Sequence, residues 1–201
     1  MSRPGFRKGR PGGGKAAPTR EGGEGFVSGS MFSQAQILHL MKTEFARSRR
    51  HGMALGCLLL QVDRMAQLVD LYGVELRTTV RDTLHRLVRE RTRGADMLGV
   101  VNEDRYLLVL PHTNVDQTRV VADRLHALFR EYEVVVDGRA LDLSLSVGIT
   151  ATGESQAMFF DTLVGQAEAA LEFAVERGGN RICSFGETQL LGGEQPTDDR
   201  G

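Results

Sequence analysis

Cysteine is scarce in this 201-residue chain, and the two present, Cys57 and Cys183, lie far apart inside apolar, strand-like runs. They read as buried thiols of a reducing cytosol. No catalytic motif surrounds either, which argues against a cysteine nucleophile. Net charge is also nearly absent: 25 Lys and Arg stand against 26 Asp and Glu, a formal −1. That excludes the strongly basic composition of a nucleic-acid polymer binder and the acidic composition of a charged-tail protein. No apolar run approaches the ~18 to 20 residues needed to cross a bilayer. The opening "MSRPGFRKGRPGGG" is basic, but no hydrophobic segment follows it, so it is not a secretory signal. A cytoplasmic location is the expectation. There is no internal repeat. The histidines at 39, 51, 85, 112 and 126 show no metal-ligand spacing and read as surface or core residues.

What is there is one domain between two tails. Residues 1–29 hold six Arg or Lys against Glu21 and Glu24, with many glycines. Such a composition buries too little apolar surface to offset its ordering entropy, so it reads as a disordered basic tail. Residues 187–201, "ETQLLGGEQPTDDRG", read as a flexible acidic tail. The apolar fraction, 41% overall, is enough for residues 30–186 to form a single core.

Inside that domain the hydrophobic period switches repeatedly. Ser33 can cap a helix through "QAQILHLMKTEFARSRRH", with Gly52 as its stop. "MALGCLLLQV" is a continuous apolar run of strand length, as in a central buried strand. A long helical stretch from about Arg64 to Arg91 follows, with a break suggested at Tyr72-Gly73. "MLGVV" and "YLLVLP" flank the polar patch Asn102-Glu103-Asp104-Arg105 and read as a β-hairpin. Asn114 to Tyr132 is an amphipathic helix. "EVVVDGRALDLSLSVGIT" reads as a second hairpin turned at Asp137-Gly138, and Asp161 to Arg177 as a helix ended by Gly178-Gly179. "NRICSF" is a last strand. The order α-β-α-β-β-α-β-β-α-β predicts an α/β sandwich with a mixed, largely antiparallel sheet of the ferredoxin-like kind, flanked by helices.

In that order, the phrases "ARSRRHGMALGCLLLQVD", "LVDLYG", "LLVLP", "LSLSVGIT" and "AEAALEFAVERGGNRI" resemble the GGDEF domain of bacterial diguanylate cyclases, over about residues 33 to 185. The resemblance implies that family's nucleotidyl-cyclase palm. It also implies an activity, the joining of two GTP molecules into cyclic di-GMP with two divalent ions held by carboxylates. The residues here depart from that pattern. The family's Gly-Gly-Asp/Glu-Glu-Phe turn is Asn102-Glu103-Asp104-Arg105-Tyr106. Both glycines are gone, Glu103 sets a negative side chain where backbone should meet phosphate, and Arg105 reverses an acidic position. The other metal-binding Asp is Gln61. The guanine-reading Asn and Asp are Val69 and Thr78. The nearby Lys is Ala66, and the phosphate-binding Lys and Arg are Val175 and Gly179. The family's usual entry phrase is replaced by "VSGSMFSQA". Too little remains to hold GTP and two ions, so no cyclase activity, catalytic residue, metal or cofactor is expected. Asp63, Asp70 and Asp104 read as solvated or capping carboxylates.

A second family feature is kept. The product-binding inhibitory site carries Arg-x-x-Asp five residues before the turn, and Arg93-Gly94-Ala95-Asp96 stands in that register. By resemblance Arg124 on the following helix belongs to the same site, and Arg47 on the first helix is a further candidate. The chemistry suits a guanine base: a guanidinium fork grips O6 and N7, and a carboxylate accepts from N1–H and N2–H₂. Arginine also serves the phosphodiesters, and its plane stacks on purines. Cyclic di-GMP, as a stacked dimer, is therefore the expected ligand. Output would pass to an unidentified protein partner or through a ligand-linked homodimer. Two alternatives stay open. RGAD can be a helix end, with Gly94 as its cap and Asp96 paired to an arginine. The whole domain can be a ligand-independent scaffold.

Overall fold

The computed structural model describes residues 31–136, 138–153 and 159–191. The basic tail at 1–29 and Asp137 lie outside them. The elements run α1 (Gln34–His51), β1 (Leu55–Val62), α2 (Met65–Tyr72), α3 (Glu75–Arg91), β2 (Met97–Val100), β3 (Arg105–Pro111), α4 (Val115–Glu131), β4 (Val134–Val136), β5 (Arg139–Leu141), β6 (Leu145–Ala151), α5 (Phe160–Glu176), β7 (Ile182–Ser184) and α6 (Phe185–Leu191). Five strands form one sheet in the order β2-β3-β1-β6-β7. β1 is antiparallel to both β3 and β6, and β7 is parallel to β6. This is the mixed, mostly antiparallel sheet flanked by helices that the sequence predicts.

β1 sits in the middle because its sequence can be buried on both faces. Alternate side chains point to opposite sides of a strand. Leu58 and Leu60 enter the core shared with α2, α3 and α4, while Cys57 and Leu59 enter the core shared with α1 and α5. Cys57 and Cys183 are both buried free thiols. Burial pushes the Cys57 thiol up to about 12, which leaves it unreactive.

Helix ends are written in local chemistry. Ser33 and Gln36 form a reciprocal capping box at α1, and Asn114 and Gln117 do the same at α4. Gly52 closes α1 in the left-handed conformation. Two glycines let helices lie close to the sheet. A Cβ on Gly99 would overlap the Ile37 side chain of α1, and one on Gly148 would overlap the Ala167 carbonyl and Leu171 backbone of α5. Ahead of α1, Phe32 bridges to Gly99 as a short parallel pairing, with Phe32 N–H donating to Leu98 O at 3.1 Å.

The 64–91 stretch is two helices, broken at Gly73 with φ +88°, where the sequence suggests a break. The structure departs from the sequence reading in two places. The segment read as one hairpin after Tyr132 is divided: β4 and β5 form their own two-stranded sheet, and only β6 joins the main one. The acidic tail does not begin at 187, because α6 continues to Leu191. Glu187 caps that helix, accepting from Ser184 N–H at 2.5 Å and from Arg119 Nη1 at 3.1 Å, so the residue's charge marks a helix start and not a tail.

Gly148→Ala should lower stability by about 2 to 3 kcal/mol, since α5 must move off β6. Gly94→Ala, where a Cβ meets nothing within 4 Å, should change it by less than about 0.5 kcal/mol. Urea unfolding midpoints measure both.

Candidate functional site

The first site is built where α3 ends. Thr92 closes the helix, its N–H and its hydroxyl both donating to Val88 O at 2.9 and 2.8 Å. The cap is therefore Thr92, not Gly94. The chain then turns: Asp96 N–H donates to Arg93 O at 3.0 Å, and Asp96 Oδ2 accepts from Arg93 N–H at 2.7 Å. An Asp that bonds a backbone N–H three residues earlier holds such a turn closed. β2 starts at the next residue. Across from this turn runs α4, stacked beside α3, and Arg124 comes from its outer face. Arg93, Asp96 and Arg124 line one groove of ≈ 360 Å³, with Arg91, Gln117 and Val120.

Its electrostatics are lopsided. Burial pushes the Asp96 carboxyl above its ordinary value, with the Arg93 N–H and the charges of Arg93 and Arg124 pulling the other way. Among the described residues, the guanidinium groups of Arg91, Arg93 and Arg124 make no hydrogen bond or ion pair. Arg47 is not part of this groove. It pairs with Glu44 at 3.0 Å and lines a small depression with Pro111 and His112. The two hollows lie on either side of the 110–113 segment.

The second place is the other end of the same hairpin. Asn102 Oδ1 accepts from Asp104 N–H at 3.1 Å and Arg105 N–H at 2.9 Å, which orders the turn. Strand register sets Gln61 opposite Arg105. Arg105 Nε donates to Gln61 Oε1 at 2.8 Å, and its Nη1 lies 3.8 Å from Glu172. From α3, Arg77 reaches Asp104 at 3.0 Å and Glu103 at 3.2 Å. The Asp104 hydrogen bond raises the Arg77 pKa further. Sequence reasoning missed Arg77, whose only signal was a cation on the helix face opposite two acids. This arrangement does not fit divalent ions: a guanidinium and an amide meet where carboxylates would be needed, and Asp104 is already neutralised. Among the described residues no three His, Cys, Asp or Glu side chains gather to hold a metal ion. Val69 is buried and Thr78 exposed.

Asp63 proves to be neither a solvated carboxylate nor a helix cap. It accepts from Ser144 Oγ at 2.7 Å, Ser146 Oγ at 2.6 Å and Asn180 N–H at 2.9 Å. It thereby ties β1, β6 and the loop after α5. Gly179 in that loop has φ +71°, and a Cβ there would come within 3.0 Å of the Asp63 carboxylate, so glycine fits on both counts. Asp70 is exposed on α2. It acts on Arg77 only through its charge.

Residues 30–181 match the family model described as "Diguanylate cyclase, GGDEF domain". The chain belongs to the GGDEF family. Among curated relatives, diguanylate cyclase DosC of Escherichia coli is 25% identical over 149 residues, which is 71% of this chain and 31% of DosC. Diguanylate cyclase A of Treponema denticola is 23% identical over 133 residues, 64% of this chain and 34% of that protein. The chain thus spans about a third of these relatives. Among solved GGDEF structures, the GGDEF domain of DgcB from Caulobacter crescentus, in complex with c-di-GMP, superposes with TM-score 0.73 at 11% identity. That match covers 78% of this chain and 92% of DgcB's. SiaD of Pseudomonas aeruginosa, a diguanylate cyclase in complex with its activator SiaC, gives TM-score 0.71 at 27% identity, covering 76% of this chain and 58% of SiaD's.

Asp63→Ala removes the acceptor for three donors and should cost about 2 kcal/mol. Urea unfolding would register the loss. Hydrogen exchange should rise at Asn180, whose N–H the carboxylate holds.

Proposed function

We propose that this GGDEF domain makes no cyclic di-GMP and instead binds it as a receptor, passing the signal to another protein. One observation carries the reading: Arg93, Asp96 and Arg124 come from a turn, a strand entry and a separate helix, and converge on one groove with both guanidinium groups unpaired. A guanine set there would offer O6 and N7 to an arginine fork and its N1–H and N2–H₂ donors to the free Asp96 oxygen. The remaining cation would face a phosphodiester. Arg47 lies outside the groove, so it contacts such a ligand only from a second copy of the chain, through a ligand stacked as a dimer. DgcB, in complex with c-di-GMP, and SiaD, in complex with SiaC, show relatives with a ligand and a protein partner of those kinds. The relevant compartment is the cytoplasm. Among the described residues no helix is long and apolar enough to cross a membrane.

The absence of synthesis rests on the Gln61–Arg105 contact and on the Arg77 pairing with Asp104. These put an amide, two guanidinium groups and an already paired carboxylate where a GTP-bound metal pair would need free carboxylates. The scaffold reading keeps one observation in its favour: Asp96 already has a structural task, closing the 93–96 turn.

Calorimetric titration with cyclic di-GMP decides between them. Binding by the wild type, lost in Arg93→Ala, supports the receptor, while a flat titration of the wild type leaves the scaffold. Incubation with GTP and Mg²⁺ should yield no dinucleotide, and a product would overturn the claim of inactivity. Affinity should also depend on pH. The acceptor is the Asp96 carboxylate, whose pKa burial raises. Binding should hold at neutral pH and weaken as pH falls through that raised value, since the protonated acid accepts less well. Titrations across the acidic range would show it, and Asp96→Asn should flatten the dependence.

A further inference from the structure

We infer that Val120 is the ledge on which the ligand's base rests, and that Arg91 supplies the groove with a third cation, for phosphate. This deepens the receptor reading and rests on it. The RGAD turn forms only one wall of the groove. The opposite wall is the face of α4, where Gln117, Val120 and Arg124 follow one another at helical spacing. Of these, only Arg124 is implied by the resemblance.

Val120 stands out chemically. It is 62% exposed, yet it lines a groove rimmed by three arginines and one carboxylate. A single exposed valine needs no explanation elsewhere. Here it lies between Gln117 and Arg124, the apolar middle of a polar wall. A purine is flat and apolar on its faces and polar only at its edges. Laid across α4, it would cover Val120 with a face while its edge met the Arg93–Asp96 turn. Gln117 supports that orientation. Its Oε1 is fixed by accepting from Asn114 N–H at 3.1 Å in the capping box, so its amide N–H₂ remains as a donor beside the ledge. Arg91 ends α3 two residues before Arg93 and lines the same groove, unpaired among the described residues. With Arg93 engaged at a base edge, Arg91 and Arg124 would match the two negative charges of a cyclic dinucleotide.

The test is titration of the full chain with cyclic di-GMP, using Val120→Ala, Val120→Leu, Arg91→Ala and, as reference, Arg93→Ala. Val120→Ala should weaken binding about tenfold, the value of a lost apolar contact area, and Val120→Leu should preserve it. Arg91→Ala should weaken binding and flatten its salt dependence. Val120 is exposed, so all four variants should melt with the wild type, which circular dichroism checks. If wild type binds, Arg93→Ala fails and Val120→Ala binds as wild type does, the ledge is wrong while the receptor stands. If wild type does not bind, both fall.

Discussion

Strand β1 is covered on both faces and paired along both edges, so polar chemistry can appear only where it ends. Seven of its eight residues are buried, and the exception is Gln61. That constraint fixes the rest of the domain. β3 and β6 take their register from β1, and Gln61 meets Arg105 because the ladder leaves them opposite one another. Asp63, one residue past the strand, can then reach Ser144 and Ser146 on the approach to β6 and on its buried face. Every group at this end of the sheet answers to the position of a strand whose sequence is almost wholly apolar.

The consequences for charge follow from there. Carboxylates gathered to hold divalent ions repel one another when no ion is present, and that repulsion raises their pKa values and loosens the loops that carry them. In this chain the corresponding place holds an amide against a guanidinium, with Glu172 beyond it. The two acids left in the turn, Glu103 and Asp104, are met by Arg77. The turn is therefore balanced by its own side chains. Such partly exposed pairs each contribute little, about 1 kcal/mol or less. Their importance is geometric, since they fix the hairpin tip to α3.

Much of this was legible in the sequence, and the parts that were not share a cause. The central strand, the hairpin, the Ser33 cap and the Gly52 stop were readable because their signals are local: an apolar run, a polar patch between two strands, a Ser and a Gly bounding a helical pattern. The division of the segment after Tyr132 was not readable, because β5 and β6 differ in their partners and not in their pattern. The helix at Phe185 was hidden by Glu187, whose charge resembles a tail until Arg119, 68 residues away, is seen to meet it. The site divides in the same way. Register with a family singled out Arg93, Asp96 and Arg124, which the fold brings to one groove. Arg77 and the threefold role of Asp63 depend on contacts across the sheet that no spacing encodes. Arg47 matched by sequence position but sits across the 110–113 segment from the groove.

The two ends of the β2–β3 hairpin are mechanically linked. β2 is four residues long, bounded by the Arg93–Asp96 turn before it and the Val101–Asp104 turn after it. It is held on one edge by β3 and on the other by the Phe32 bridge. α3 runs alongside, gripping the second turn through Arg77 and leading through Thr92 into the first. A displacement at either turn must therefore be carried by a strand that cannot slip without turning Leu98 out of the core. With Arg77 and Arg105 pinning the tip, the Arg93–Asp96 turn is braced from the far end of the hairpin. The side chains gathered at the hairpin tip thus bear on the groove at its far end without lining it.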